Sequence, residues 1–222
     1  MLRKVLISLI IISAVSAIYA DYIGSSLYIF LKPITTGIII GSALLFKNNS
    51  SKKYVNLIVV GLIFCLIGDV LLLEEAHFVW GLGAFVIGHF LFSEAFRSFK
   101  GITLYYKELG ILSALGVVVF SLLFADLGEF MVPALLYIGV IVYMGWMGIC
   151  FHKSKVFIKS KWIPMAVSLF MFSDILISIE KFKWPSLVLG APILIAYWIS
   201  IYLIGDSITR NGEDSNPEEA ID

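Results

Sequence analysis

Residues 54–73 read YVNLIVVGLIFCLIGDVLLL, a run of twenty positions in which Asp69 alone is charged. An α-helix rises about 1.5 Å per residue, and the hydrocarbon core of a bilayer is about 30 Å thick, so a run of this length is enough to cross it. The stretch therefore predicts a transmembrane helix that carries a carboxylate inside the membrane.

Apolar windows of the same size recur along the chain between short polar breaks. Backbone groups in lipid have to be satisfied within their own segment, so these windows predict helices, whereas a barrel would show short alternating strands. We expect an all-α, polytopic transmembrane bundle of about eight spans, forming a single domain over residues 1–208. Residues 209–222 are rich in Asp, Glu and Asn and predict a disordered cytoplasmic tail. The predicted spans are 4–20, 27–46, 54–73, 78–96, 105–124, 130–150, 162–180 and 185–208.

The composition agrees with a membrane protein and excludes several classes of function. Hydrophobic residues make up 60% of the chain and charged residues 14%, against roughly 25% charged in soluble domains. Acidic and basic residues are equal at 16 each, so the net charge points to no nucleic-acid partner. Cys65 and Cys150 lie inside apolar runs, without a CxxC motif. We therefore expect no metal site and no cofactor.

The lysines and arginines predict the orientation of the bundle. With the N-terminus in the cytoplasm, thirteen of the sixteen fall inside or at inner helix ends, which fits an even number of spans with both termini cytoplasmic. Lys181 and Lys183 fall outside, and Lys32 lies within a span. We expect the inner (plasma) membrane of a bacterium as the location. The thirteen inner residues are Arg3, Lys4, Lys47, Lys52, Lys53, Arg97, Lys100, Lys107, Lys153, Lys155, Lys159, Lys161 and Arg210.

A short sequence similarity between spans three and seven suggests that a unit of four helices occurs twice in the same orientation. Span three ends in Gly-Asp followed by Val-Leu-Leu, and span seven contains Ser-Asp followed by Ile-Leu-Ile, with Glu75 and Glu180 each six residues beyond the aspartate. A parallel 4+4 repeat is one interpretation. The other is chance, because apolar helices resemble each other by composition alone.

Four polar side chains inside the spans are candidates for a functional site: Lys32, Asp69, His89 and Asp174. A charge at the centre of a bilayer costs about 2.5 kcal/mol or more, so each needs a partner, a wet cavity or a task. Counted along their helices at about 1.5 Å per residue, both aspartates and the lysine lie within about 10 Å of the outer boundary. His89 lies nearer the middle of the membrane.

Structural interpretations of the same residues stay open. Lys32 and Asp69 fit a structural ion pair, or Lys32 extends its amine to the outer interface. The two aspartates fit hydrogen bonds to hydroxyl groups of neighbouring helices, and His89 fits a hydrogen bond between helices.

Several short motifs follow one another in spans two to eight. They are Lys32-Pro33, Gly68-Asp69 with the following leucines, Phe85, Gly88-His89 and Phe172-Ser173-Asp174. By the order and spacing of these motifs, the chain resembles the YhhN-like integral membrane proteins, a family that includes lysoplasmalogenases. Similar proteins tend to carry two tyrosines and then a glutamine in the last span, where this chain has Tyr197, Trp198 and then Ile201.

The resemblance implies hydrolysis of the vinyl ether bond of a lysoplasmalogen, which yields a fatty aldehyde and a glycerophospho-ethanolamine or -choline. Protonation of the β-carbon gives an oxocarbenium ion, so the reaction asks for an acid and a nearby anion, as in glycosidases. Two carboxyl groups in an apolar site supply both when one is protonated and the other ionised. We expect Asp69 and Asp174 as this pair and His89 as a proton shuttle or water-positioning group. Lys32 and Tyr197 are expected to bind the lysolipid.

Two other functions fit the same pattern. A small-solute or lipid transporter would use buried carboxylates for proton or cation coupling. A non-catalytic lipid-binding protein would use them to hold a head group.

Overall fold

The computed structural model describes residues 1–47, 51–155 and 157–209. Within these ranges, eight helices are long and apolar enough to cross a membrane. This confirms the predicted all-α bundle, and every predicted boundary lies within three residues of the observed one. The predicted tail beyond Thr209 falls outside the described residues. The helices are α1 (Leu2–Tyr22), α2 (Tyr28–Leu45), α3 (Lys52–Leu71), α4 (Phe78–Arg97), α5 (Tyr106–Leu123), α6 (Met131–Lys153), α7 (Ile163–Phe182) and α8 (Leu187–Asp206).

The most extensive contact between two helices lies between α3 and α4, where glycines let the two backbones approach. A Cβ atom on Gly88 would lie 3.1 Å from the carbonyl oxygen of Gly61, and one on Gly61 would lie 2.5 Å from the ring of Phe92. Since His89 follows Gly88, this close approach also determines where the imidazole stands.

Helix α8 lies inside the bundle and α5 at its edge. α8 packs against α7, α1, α2 and α3. In α5, by contrast, Gly116 and Leu123 are the buried positions, and the helix contacts α6 and α7. The candidate site residues lie on α2, α3, α4, α7 and α8, and α5 carries none of them.

Ion pairs join helix ends that the charge distribution assigns to the same side of the membrane. Arg3 pairs with Asp206 at the inner ends of α1 and α8. At the outer ends, Lys181 lies 2.6 Å from Glu75 and Lys183 lies 3.0 Å from Asp126. Adjacent helices therefore alternate in direction.

Candidate functional site

Asp69 is the centre of a hydrogen-bonded group that joins α2, α3 and α8. It is 1% exposed, and its Oδ2 accepts hydrogen bonds from the hydroxyls of Thr36 at 2.5 Å and Tyr197 at 2.8 Å. Trp198 donates its indole N–H to Thr36 Oγ1 at 3.2 Å. A carboxyl oxygen that receives two O–H groups is well suited to carry a negative charge.

Lys32 approaches the same carboxyl group from α2. Its Nζ lies 3.9 Å from Asp69 Oδ1, and the residue is 8% exposed. The two therefore form the ion pair that the structural interpretation predicted. At 3.9 Å the contact is longer than a hydrogen bond.

His89 and Asp174 form a second, separate pair between α4 and α7. His89 Nε2 lies 3.6 Å from Asp174 Oδ2, and the two residues are 0% and 7% exposed. Among the described residues, neither ring nitrogen of His89 nor this oxygen has a hydrogen-bond partner. His89 therefore makes no hydrogen bond between helices here, and a buried polar group left without a partner calls for an explanation.

Two phenylalanine rings separate the two pairs. Phe170 packs edge-on against His89 at 4.4 Å between ring centroids and against Tyr197 at 5.5 Å. Phe85 likewise lies 6.3 Å from His89 and 5.7 Å from Tyr197. This aromatic layer stands between Asp69 with its donors on one side and the His89–Asp174 pair on the other.

The structure thus groups the five predicted site residues as Lys32, Asp69 and Tyr197, and as His89 with Asp174. Depth counting assigned His89 to a deeper level than Asp174, but the structure places the two side chains next to each other.

Sequence reasoning missed several members of the site. Thr36 is an ordinary threonine in an apolar span, and Trp198 was noted only as a departure from the family pattern. Tyr137 of α6 faces His89, with 5.6 Å between ring centroids. None of the three stands out by charge, so no signal in the sequence marked them.

Two cavities border these groups near the helix ends that the charge distribution assigns to the outer side. An outer cavity of 380 Å³ is lined by charged residues of α1, α2 and α7, including Lys32. A smaller cavity of 40 Å³ contains Asp174 and Tyr137 and is otherwise mostly apolar. Both share the walls formed by Leu72, Phe78 and Ile177. The smaller one has room for water, since one molecule needs roughly 10–15 Å³ of such volume.

An apolar groove of 450 Å³ opens between α5 and α7. It shares Val119 and Ile175 with another 40 Å³ cavity that contains Asp174. Asp174 therefore lines two small cavities. One borders the outer cavity, and the other borders the apolar groove between α5 and α7.

Metal-binding groups are sparse in the part of the chain that the structure describes. No three His, Cys, Asp or Glu side chains there lie close enough together to hold an ion. Cys65 and Cys150 are free thiols, both buried.

Comparison with known proteins relates the chain to one family. The YhhN family model matches residues 27–208. A protein named lysoplasmalogenase TMEM86A from Bos taurus is 29% identical over 168 residues, and the protein of the same name from Homo sapiens is 27% identical over 164 residues. Each alignment covers 70% of this chain and 66% of the relative, so the chain spans just under two thirds of these relatives. No solved structure matches the chain.

Proposed function

The chain belongs to the YhhN family, and from this premise we propose that it is an integral membrane enzyme that hydrolyses the vinyl ether bond of a lysoplasmalogen. The products are a fatty aldehyde and a glycerophospho-ethanolamine or -choline. Two relatives carry the name lysoplasmalogenase. The observation that carries the proposal is the buried Asp174 carboxyl, which stands beside His89 without a hydrogen-bond partner for Oδ2 among the described residues.

Asp174 is the general acid in this proposal. Its carboxyl group is 7% exposed and has two polar neighbours, the imidazole of His89 and the hydroxyl of Tyr137. Neither supplies a full positive charge to pair with a carboxylate, and an unpaired charge there would be costly, so the protonated form is favoured. Asp174 gives its proton to the β-carbon of the vinyl ether, whose π electrons form the new C–H bond. The adjacent carbon becomes an oxocarbenium ion, and Asp174 becomes a carboxylate.

Water then completes the reaction. It attacks the oxocarbenium carbon, and its proton returns to Asp174 directly or through His89, whose Nε2 lies 3.6 Å from the carboxyl oxygen. The hemiacetal collapses as its hydroxyl proton moves to the glycerol oxygen and the C–O bond breaks. The aldehyde and the free alcohol leave, and the acid is restored.

Asp69 is the anion in this proposal. Thr36, Tyr197 and Lys32 all favour its ionised form. Its fixed charge behind the aromatic layer stabilises the oxocarbenium ion through space, because the low polarity of the interior strengthens electrostatic effects. Tyr197 holds Asp69 in place through its hydroxyl, and its expected contact with the lysolipid stays a prediction.

The cavities supply a pose for an amphiphilic substrate. The head group lies in the outer cavity, where Lys32 meets the phosphate. The vinyl ether reaches Asp174 past Leu72 and Phe78, and the hydrocarbon chain leaves toward the lipid through the groove between α5 and α7.

Aldehyde release by the purified protein in lipid nanodiscs tests the function. We expect release from a lysoplasmalogen and none from the saturated alkyl ether analogue, which has no double bond to protonate. Asp174→Asn should reduce the rate by about 10²-fold or more, the usual contribution of a general acid. Asp69→Asn should reduce it less, because it removes a charge but no proton donor.

Other outcomes would redirect the assignment. Full activity in Asp174→Asn would exclude this residue as the acid. No aldehyde from any vinyl ether lipid, together with lipid or solute uptake into vesicles that depends on Asp69 and Asp174, would support a transporter. Binding of lysolipid without turnover or uptake would support a lipid-binding protein.

A further inference from the structure

The outer cavity has an unbalanced charge on its wall. Among the residues that line it, Glu75 pairs with Lys181 at 2.6 Å, and Lys32 pairs with Asp69 below. Asp21 at the end of α1 and Glu180 near the end of α7 are half-buried there. Within the described part of the chain, neither of these two carboxyl groups forms an ion pair or a side-chain hydrogen bond. They face a space of 380 Å³, within the usual size of a ligand site.

A buried cation lines the same cavity with unused hydrogen-bonding capacity. Lys32 is 8% exposed, and its ammonium group makes no hydrogen bond to any described residue. It lies 3.9 Å from its ion-pair partner, Asp69 Oδ1, and 5.9 Å from the centre of the Tyr28 ring. An ammonium has three N–H donors, and those of Lys32 are free to bond to water or to a ligand in the cavity. An anionic ligand group above Lys32 would satisfy them.

The position of Asp21 depends on a glycine in the facing helix. A Cβ atom on Gly190 would lie 2.6 Å from Asp21 Oδ2. Because Gly190 has no side chain, the carboxylate of Asp21 lies directly against α8 on the cavity wall.

We propose that the outer cavity is a binding site for a phosphoethanolamine head group, with Lys32 on the phosphate and Asp21 and Glu180 on the terminal ammonium. This inference rests on the proposed function for the identity of the lipid and deepens it by naming the head group. The cation at the inner end and the two carboxylates nearer the outside match the order of charges in such a group.

The chemistry of the cavity distinguishes ethanolamine from choline. A primary ammonium gives three N–H donors, which form short charge-assisted hydrogen bonds to carboxylates. The quaternary ammonium of choline has none and is recognised by cages of aromatic rings. Among the residues that the structure describes, two aromatic rings line this cavity, Tyr28 and Phe78, and each already faces a lysine ammonium. The carboxylates of Asp21 and Glu180 are therefore the groups left for the ammonium of a ligand, and they favour ethanolamine.

Calorimetric titration with lysolipids that cannot be hydrolysed tests this inference separately from turnover. The probes are saturated alkyl ether lysolipids with ethanolamine, N-methylethanolamine, N,N-dimethylethanolamine or choline head groups, added to the full-length protein in nanodiscs. We expect the affinity to fall with each N–H that is replaced, by about tenfold across the series. This readout needs no variant and therefore does not depend on the folding of one.

The variants then locate the effect. In Asp21→Asn/Glu180→Gln the preference for ethanolamine should disappear, whereas Glu129→Gln, which changes an exposed outer carboxylate away from the cavity, should retain it. Equal affinity for all four head groups in the unmodified protein, or a preference that survives in the folded double variant, would overturn the inference. Selective binding without aldehyde release would reject the proposed reaction and retain the head-group site. Aldehyde release without head-group selectivity would reject the head-group site and retain the proposed reaction.

Discussion

The hydroxyl of Tyr197 on α8 donates a 2.8 Å hydrogen bond to Oδ2 of Asp69 on α3. The contact ties the last helix of the bundle to a carboxylate that lies 128 positions earlier in the chain. Beside it, Trp198 donates to Thr36, which also donates to Asp69. Helix α8 thus belongs to the site, although its sequence departs from the family pattern.

Removing the Tyr197 hydroxyl should lower activity without unfolding the protein. Tyr197→Phe keeps the ring packed against Phe85 and Phe170 but takes one of two donors from Asp69. A hydrogen bond to a charged group contributes about 1.5–3 kcal/mol, so we expect a loss of about tenfold or more in kcat/KM for vinyl ether hydrolysis. Tyr202→Phe on the same helix is the matched control, and an equal loss there would contradict the assigned role.

The Lys32–Asp69 pair should show a non-additive effect on stability. Lys32→Met leaves a buried carboxylate without its cation, and Asp69→Asn leaves a buried ammonium without its anion. Breaking a buried pair from one side typically costs about 3–5 kcal/mol, whereas replacing both partners costs less. Unfolding in mixed micelles should therefore show that Lys32→Met/Asp69→Asn is more stable than the sum of the single effects predicts. Strict additivity would mean that the two charges do not interact.

Asp174 should behave differently from Asp69 when its charge is removed. The Oδ2 atom of Asp174 has no hydrogen-bond partner among the described residues. Asp174→Asn therefore breaks no hydrogen bond at this atom. We expect an inactive variant whose thermal midpoint equals or exceeds that of the parent, as is common for groups kept for chemistry. A large fall in the midpoint would assign Asp174 a structural role.

The close packing of α3 and α4 predicts a contrast between two glycines of one helix. In Gly88→Ala the new methyl group would lie 3.1 Å from the Gly61 carbonyl oxygen, so α4 has to move away and carry His89 with it. We expect about 1–3 kcal/mol of destabilisation and reduced activity. Gly83→Ala is the control, because nothing lies within 4 Å of a Cβ at that position. Stability and turnover should change little there.

The orientation deduced from the lysines and arginines stays a prediction that labelling can test. Ser26 is exposed in the first outer connector and Lys100 in a connector assigned to the cytoplasm. The native thiols Cys65 and Cys150 are both buried and give a low background. A membrane-impermeant maleimide added to intact cells should label Ser26→Cys and leave Lys100→Cys unlabelled until the cells are opened. The opposite pattern would invert the bundle.

The positions of the helices follow almost entirely from hydropathy. The largest difference is three residues, at the end of α6, which was predicted at position 150 and ends at Lys153. Such accuracy is expected, because the bilayer requires about 20 apolar residues per helix and penalises exposed backbone. Neither the 4+4 repeat nor the disordered tail is tested by these boundaries, and both stay predictions.

The composition of the site was harder to predict than the helices. Charge marked Lys32, Asp69, His89 and Asp174, because a charged or titratable group in an apolar run is conspicuous. Depth counting indicated that the two aspartates share a level, but it could not show that Phe85 and Phe170 lie between their two groups. It also could not find Thr36, whose hydroxyl becomes important only beside Asp69.

By itself, the sequence determined how many helices are able to cross the membrane and which charged residues lie within them, because the cost of placing backbone and charge in lipid acts along each helix separately. Only the tertiary structure decided that Lys32 meets Asp69 and that His89 meets Asp174. Those contacts depend on which helices are neighbours and how far each is rotated about its axis. Rotation and neighbour order arise from packing between helices, such as the approach of Gly88 to Gly61, and hydropathy along one helix does not report them.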